Sequence, residues 1–172
     1  MALFSESIRD LKTLYIHELR SMLSSERQII DALPEMEEAA TDPQLKAALH
    51  THREETVLQA DRLEQILTEV AGDTDDKKCA VTAELISSGK SLIKDSVEGS
   101  LRDEAIIASA QKVEHFEIAC YGTLRSWAAS LRLPAHAAML DITAKEEGNA
   151  DHALTAVAER LNAEVASIRA AA

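Results

Sequence analysis

Three clusters of helix-breaking residues cut this chain into stretches of about 30 residues, and that spacing constrains the fold more than any other feature. Thr41-Asp42-Pro43 reads as a stop followed at once by a new start, with Asp42 as N-cap and Pro43 at the first helical position. Ala71-Gly72-Asp73-Thr74-Asp75-Asp76 is a polar loop, and Leu133-Pro134 is a sharp turn. The stretches between them predict helix A near 5–40, helix B near 43–70, helix C near 98–131 and helix D near 135–169. The composition agrees: 46% apolar residues with only 3% aromatics, 5 Gly and 3 Pro suit helices rich in alanine and leucine rather than strands. Pro34 is expected to kink helix A or break it near Leu33, because proline removes an N–H and clashes with the carbonyl four residues back.

Two short loops and one connection of about 27 residues describe an all-α, ferritin-like four-helix bundle of two antiparallel hairpins, A–B and C–D. The long connection carries apolar residues (Val81, Leu85, Ile86, Leu92 and Ile93), so short accessory helices are expected within it. A length of 172 residues fits a single domain spanning 1–172. The formal charge of −12 repels phosphate, which argues against nucleic acid and anionic membranes as partners. No apolar run approaches about 18 residues, the N-terminus lacks a basic leader, and the two cysteines lie far apart. A cytoplasmic protein is the expectation.

Each bundle helix should present an apolar seam with alternating spacings of three and four residues. The seams are instead apolar at both ends and polar in the middle. Helix A reads Tyr15, Leu19, Met22, Glu26, Ile29, Leu33, Met36, and helix B reads Leu45, Leu49, His52, Thr56, Gln59, Leu63, Ile66, with Glu55 beside His52. Helix C runs Ile107, Ala110, Glu114, Glu117, Tyr121, Leu124, Ala128, Leu131. Helix D runs Leu140, Ala144, Glu147, Asp151, Leu154, Ala158, Leu161, Val165, Ile168. Counted from the turns at 1.5 Å per residue, the polar residues of each hairpin lie at similar depth, which places them in one internal layer. Buried carboxylates are protonated, paired or bound to metal, since an unpaired one costs several kcal/mol. The seams contain no Lys or Arg, and an oxygen-rich set with one imidazole suits iron or manganese. Metal is therefore the favoured reading, against the alternative that the polar residues reflect a misplaced register.

Ser24-Ser25-Glu26-Arg27-Gln28, His52-Arg53-Glu54-Glu55-Thr56, the run Gln111 to Leu124, and Glu146-Glu147 with Asp151 resemble the YciE/YciF family of bacterial ferritin-like stress proteins. The likeness covers about residues 6 to 160, with the third segment the most specific. It implies a homodimer, stress-linked expression and a di-metal centre of two iron or manganese ions per chain, with Glu26, Glu55, Glu114, Glu117, Glu147 and Asp151 as ligands and His52 as the nearest imidazole. Two departures stand out. The wider di-iron pattern has Glu-x-x-His on two helices, whereas helix B offers His52-x-x-Glu55 and helix D offers Glu147-x-x-x-Asp151. His152 points about 100° away from Asp151 and ranks below it. The connection around Ser87 and Ser88 also lacks acidic residues expected of the family.

Other features are weaker. Tyr121 lies two turns after Glu114, so its hydroxyl either bonds a ligand or is satisfied in the core. Gly122 and Gly148 interrupt helices beside the polar layer, through close packing, a bulge or plain tolerance. His17, His50, His115 and His136 lie off the seams and are expected to be solvated or locally hydrogen-bonded. Cys120 reads as buried and inert, while Cys79, following two lysines, is the better reactive thiol. Trp127 reads as packing. Two functions remain: a di-iron or di-manganese oxidoreductase acting on peroxide or dioxygen, and a non-enzymatic stress or structural bundle, with iron binding without turnover as a variant.

Overall fold

The computed structural model describes residues 7–168. The expected helical start at residue 5, the expected end at 169, the seam side chain of Ile168 and the alanine-rich terminus fall outside that description. Five helices and no strand occur among the described residues: α1 (Leu11–Ala39), α2 (Pro43–Ala71), α3 (Ala80–Asp95), α4 (Ser100–Ser130) and α5 (Pro134–Ile168). The α1–α2 and α4–α5 hairpins are antiparallel neighbours, α1 lies beside α4, and α2 lies beside α5. This closes the expected four-helix bundle, with α3 laid across α1 and α4.

Local chemistry fixes the boundaries. Helix α1 starts at Leu11, later than the expected 5, because Asp10 and Thr13 form a capping box in which the Asp10 carboxylate accepts from the Thr13 N–H at 2.7 Å. Asp42 caps α2 by accepting from Gln44 and Leu45, and Gly72 closes it at φ 83, a left-handed conformation that glycine adopts without a Cβ clash. The turn into α5 places Arg132 at φ 60.

Two expectations are corrected. Pro34 does not break α1, which continues five residues beyond it to Ala39. Pro34 is exposed, and the flanking Ala32 and Leu33 are buried against the core, so packing holds the last turns together. The long connection contains one accessory helix, the 16-residue α3, rather than several. Its approach is tied to α1 by Arg20 to Asp73 and by Arg27 to Asp76. A Cβ built on Gly89 would lie 3.1 Å from Ser109 Cβ, so glycine lets α3 sit close to α4.

The core is split in two. One apolar cluster joins Tyr15, Leu19, Met22, Leu63, Ile66, Tyr121, Leu124 and Leu140; the other joins Ile29, Leu33, Leu45, Leu49, Ile106, Ile107, Leu154 and Leu161. A buried polar layer lies between the two apolar stretches of each seam.

Candidate metal centre

Glu26 of α1, His52 of α2, Glu114 and Glu117 of α4, and Glu147 of α5 are all buried, none more than 6% exposed. One ligand atom from each of His52, Glu114, Glu117 and Glu147 lies within 4.8 Å of the others. His52 Nε2 is 3.3 Å from Glu114 Oε1, and His52 Nδ1 is 4.0 Å from Glu147 Oε2. The i, i+3 spacing of Glu114 and Glu117 puts both carboxylates on one face of α4.

The layer is held from behind. The Tyr121 hydroxyl donates to Glu26 Oε1. Ser25 Oγ donates to Glu117 Oε1 at 3.3 Å and is itself 2.7 Å from Thr82 Oγ1 on α3. The accessory helix thus reaches the site through Thr82. Arg62, one position before a seam residue, forks onto Glu146 at 2.8 Å through Nη2, and Gln59 donates to the same carboxylate. Glu146 is thereby paired and set apart from its neighbour Glu147.

Burial raises the carboxyls of Glu26, Glu114 and Glu117 well above the usual range, and the neighbouring carboxylates raise them further. Glu147 is pushed up to about 7, by burial first and then by Glu146 and Glu55. Burial lowers His52 to about 4, which keeps its imidazole neutral at physiological pH.

The fit to a cation rests on atoms left without a partner. Glu26 Oε2, Glu114 Oε2, Glu117 Oε2, both oxygens of Glu147 and His52 Nδ1 are buried and make no hydrogen bond. Orphaned polar atoms are rare in folded proteins, and here they converge on one place. Carboxylate oxygens with a neutral imidazole form a donor set suited to iron or manganese.

Two residues expected as ligands lie at the margin of this group. Glu55 is half-buried and lines a cavity with His52 and Glu114. Asp151 is half-buried, accepts from Gln111 Nε2 at 3.1 Å and lies 3.7 Å from His115 Nε2. His152 is exposed and bonded to the Gly148 carbonyl.

Some side chains lie where the sequence reading did not put them. Cys79 is buried at 4% exposure rather than a reactive loop thiol, because its N–H and C=O are taken by Ser24 and Gln28 at the start of α3. Cys120 is half-buried, with burial raising its thiol to about 11. His136 is buried and 2.9 Å from Glu69. Seam logic passed over Ser25, Thr82, Arg62 and Asp103; only Arg62, three residues after the seam position Gln59, carried a legible signal.

Fold and site together define an all-α bundle with a buried His/Glu cluster that could hold a metal ion. Residues 10–167 match the family described as "Domain of unknown function (DUF892)". The chain belongs to that family, and it is 35% identical to Protein YciF of Escherichia coli K12 over 153 residues, 88% of this chain and 92% of that one. The crystal structure of the E. coli stress protein YciF matches with a TM-score of 0.85 at 34% identity, covering 90% of this chain and 98% of that one. YcfI of Rhodopseudomonas palustris, described as a candidate structural protein, matches with a TM-score of 0.85 at 35% identity, covering 89% and 98%. A Xanthomonas campestris protein at 19% identity shares the fold, with a TM-score of 0.70 over 92% of this chain and 95% of that one. No helix among the described residues is long and apolar enough to cross a membrane.

Proposed function

We propose that the buried layer is a two-metal centre of iron or manganese, in a single-domain cytoplasmic homodimer that serves stress response through redox chemistry on peroxide or dioxygen. The observation that carries this reading is the convergence of unpartnered carboxylate oxygens and one imidazole nitrogen in a layer with no buried lysine or arginine. Bound there, a pair of redox-active ions supplies electron exchange with a small oxidant.

The chain's own residues do the rest. Glu114, Glu117, Glu147 and His52 hold the cations, and Glu26 offers the further carboxylate a second ion needs. Tyr121 fixes Glu26 by donating to Oε1, which leaves Oε2 turned to the layer. Ser25 does the same for Glu117. Protons that the raised carboxyls hold in the free protein leave when a cation takes their place. The two apolar clusters close the layer along the bundle axis at both ends.

Peroxide consumption by the iron- or manganese-loaded protein tests the redox part, with the same quantity of free metal as reference. Consumption well above the reference is expected; consumption equal to it refutes turnover. In that case the second reading, a non-enzymatic bundle using metal for stability, takes its place, and the likeness to YcfI favours it. Light scattering tests the assembly: a dimer fits either reading, and a shell of many subunits argues for iron storage.

A further inference from the structure

We infer that the crevice between α2 and α5 is the passage by which a divalent cation reaches the buried layer, with Glu55 capturing the ion on its way in. This rests on the metal-centre reading and adds to it a route and a residue role.

Among the described residues the rest of the layer is tightly enclosed, with Glu26, Glu117 and Glu147 at 0% exposure. Apolar clusters bury the inward seams on both sides of it, and α3 lies over α1 and α4. The α2–α5 pair packs less extensively than either hairpin. A cavity of about 350 Å³ opens there, with exposed Thr51 and Asn149 at its mouth and buried His52 and Glu114 on its floor. Two other cavities, one between α1, α3 and α4 and one beside Trp127, touch no residue of the cluster.

The walls explain why the gap exists. Alanines of α2 and α5, among them Ala48, Ala150 and Ala153, line it, and their short side chains leave room that leucine would fill. Glu55 lies on the same wall, half-buried between solvent and cluster, three residues after His52. Its carboxylate forms no ion pair among the described residues, unlike Glu146, which Arg62 holds. On a chain of net charge −12, a half-buried carboxylate between solvent and a deeper set of carboxylates draws a cation inward, and the attraction weakens with salt.

The test is the rate at which cobalt(II) loads the full-length protein, read by its visible absorption in stopped flow. Ala150→Trp and, at an exposed position that tolerates bulk, Ala153→Trp are expected to slow loading at least tenfold. Release to a chelator should slow equally, with the bound stoichiometry unchanged, because a narrowed passage alters both directions alike. Ser91→Trp, which places the same bulk in the groove beside α3, is expected to load at the wild-type rate. Glu55→Gln should load more slowly and with a weaker dependence on ionic strength at full capacity. Wild-type rates in both alanine variants overturn the route. A loss of bound cobalt in Glu55→Gln overturns the capture role and makes Glu55 a ligand. If the wild-type protein binds no cobalt, the metal-centre reading falls first, and the passage falls with it.

Discussion

Glu147 and its neighbours make the metal-free protein sensitive to pH in a direction that can be worked out. An unfolded glutamate titrates near 4.5, whereas Glu147 is held up to about 7 and Glu26, Glu114 and Glu117 are also raised well above 4.5 by burial. The folded state therefore binds more protons than the unfolded one between these values, so stability is fully present below about 4.5 and is lost as pH rises through 7. His52 works in the opposite sense, losing stability as pH falls from 6.5 toward about 4. From pH 6.5 upward His52 is neutral in both states, and the raised carboxyls set the sign. Thermal melts in chelator should show Tm falling across that window, with a shallower fall in Glu147→Gln and a nearly flat profile after metal loading. A Tm that rises with pH in chelator would mean that the layer is not a set of buried carboxyls. The residue types were legible in the sequence because four seams turned polar at one depth. Their supports were not: Ser25 and Thr82 are small, common residues whose meeting depends on where α3 lands.

At the scale of elements, the α1–α2 loop depends on a residue from α4. Asp103, 1% exposed, accepts from Thr41 N at 2.7 Å, Thr41 Oγ1 at 2.6 Å and Asp42 N at 2.9 Å. Asp103→Ala removes the acceptor shared by three part-buried hydrogen bonds, and a cost of about 2–4 kcal/mol is expected. This should appear as a Tm lower by roughly 5–15 °C. Gly122 shows the reverse case. A Cβ there meets nothing within 4 Å, so neither close packing nor a bulge requires glycine. Gly122→Ala should stabilise α4 by about 1 kcal/mol, read as a Tm rise of roughly 2–4 °C. The helix boundaries followed Asp42-Pro43, Gly72 and Pro134 closely, because capping and turn chemistry act over three or four residues. Of the two effects expected of Pro34 the break does not occur, because burial of Ala32 and Leu33 outweighs the local signal, and the connection holds one 16-residue helix in place of several short ones.

Taken whole, the molecule is two apolar cores separated by a layer of carboxyl groups, an arrangement that costs stability unless those groups are protonated or paired with a cation. The formal balance of −12 therefore has an interior share, carried by the four buried glutamates and distinct from the solvated surface. The bundle and its polar layer were readable from the seams, since helical periodicity reports which face is buried. The marginal positions of Glu55 and Asp151 were not, because periodicity fixes a face to within a turn and not the depth of a side chain. The direct test is metal analysis of protein purified without chelator and reconstituted with ferrous iron or manganese, combined with anomalous diffraction at both metal edges. About two ions per chain are expected, with anomalous peaks among Glu26, His52, Glu114, Glu117 and Glu147. Well below one ion per chain after reconstitution, or peaks only on the surface, would contradict the account.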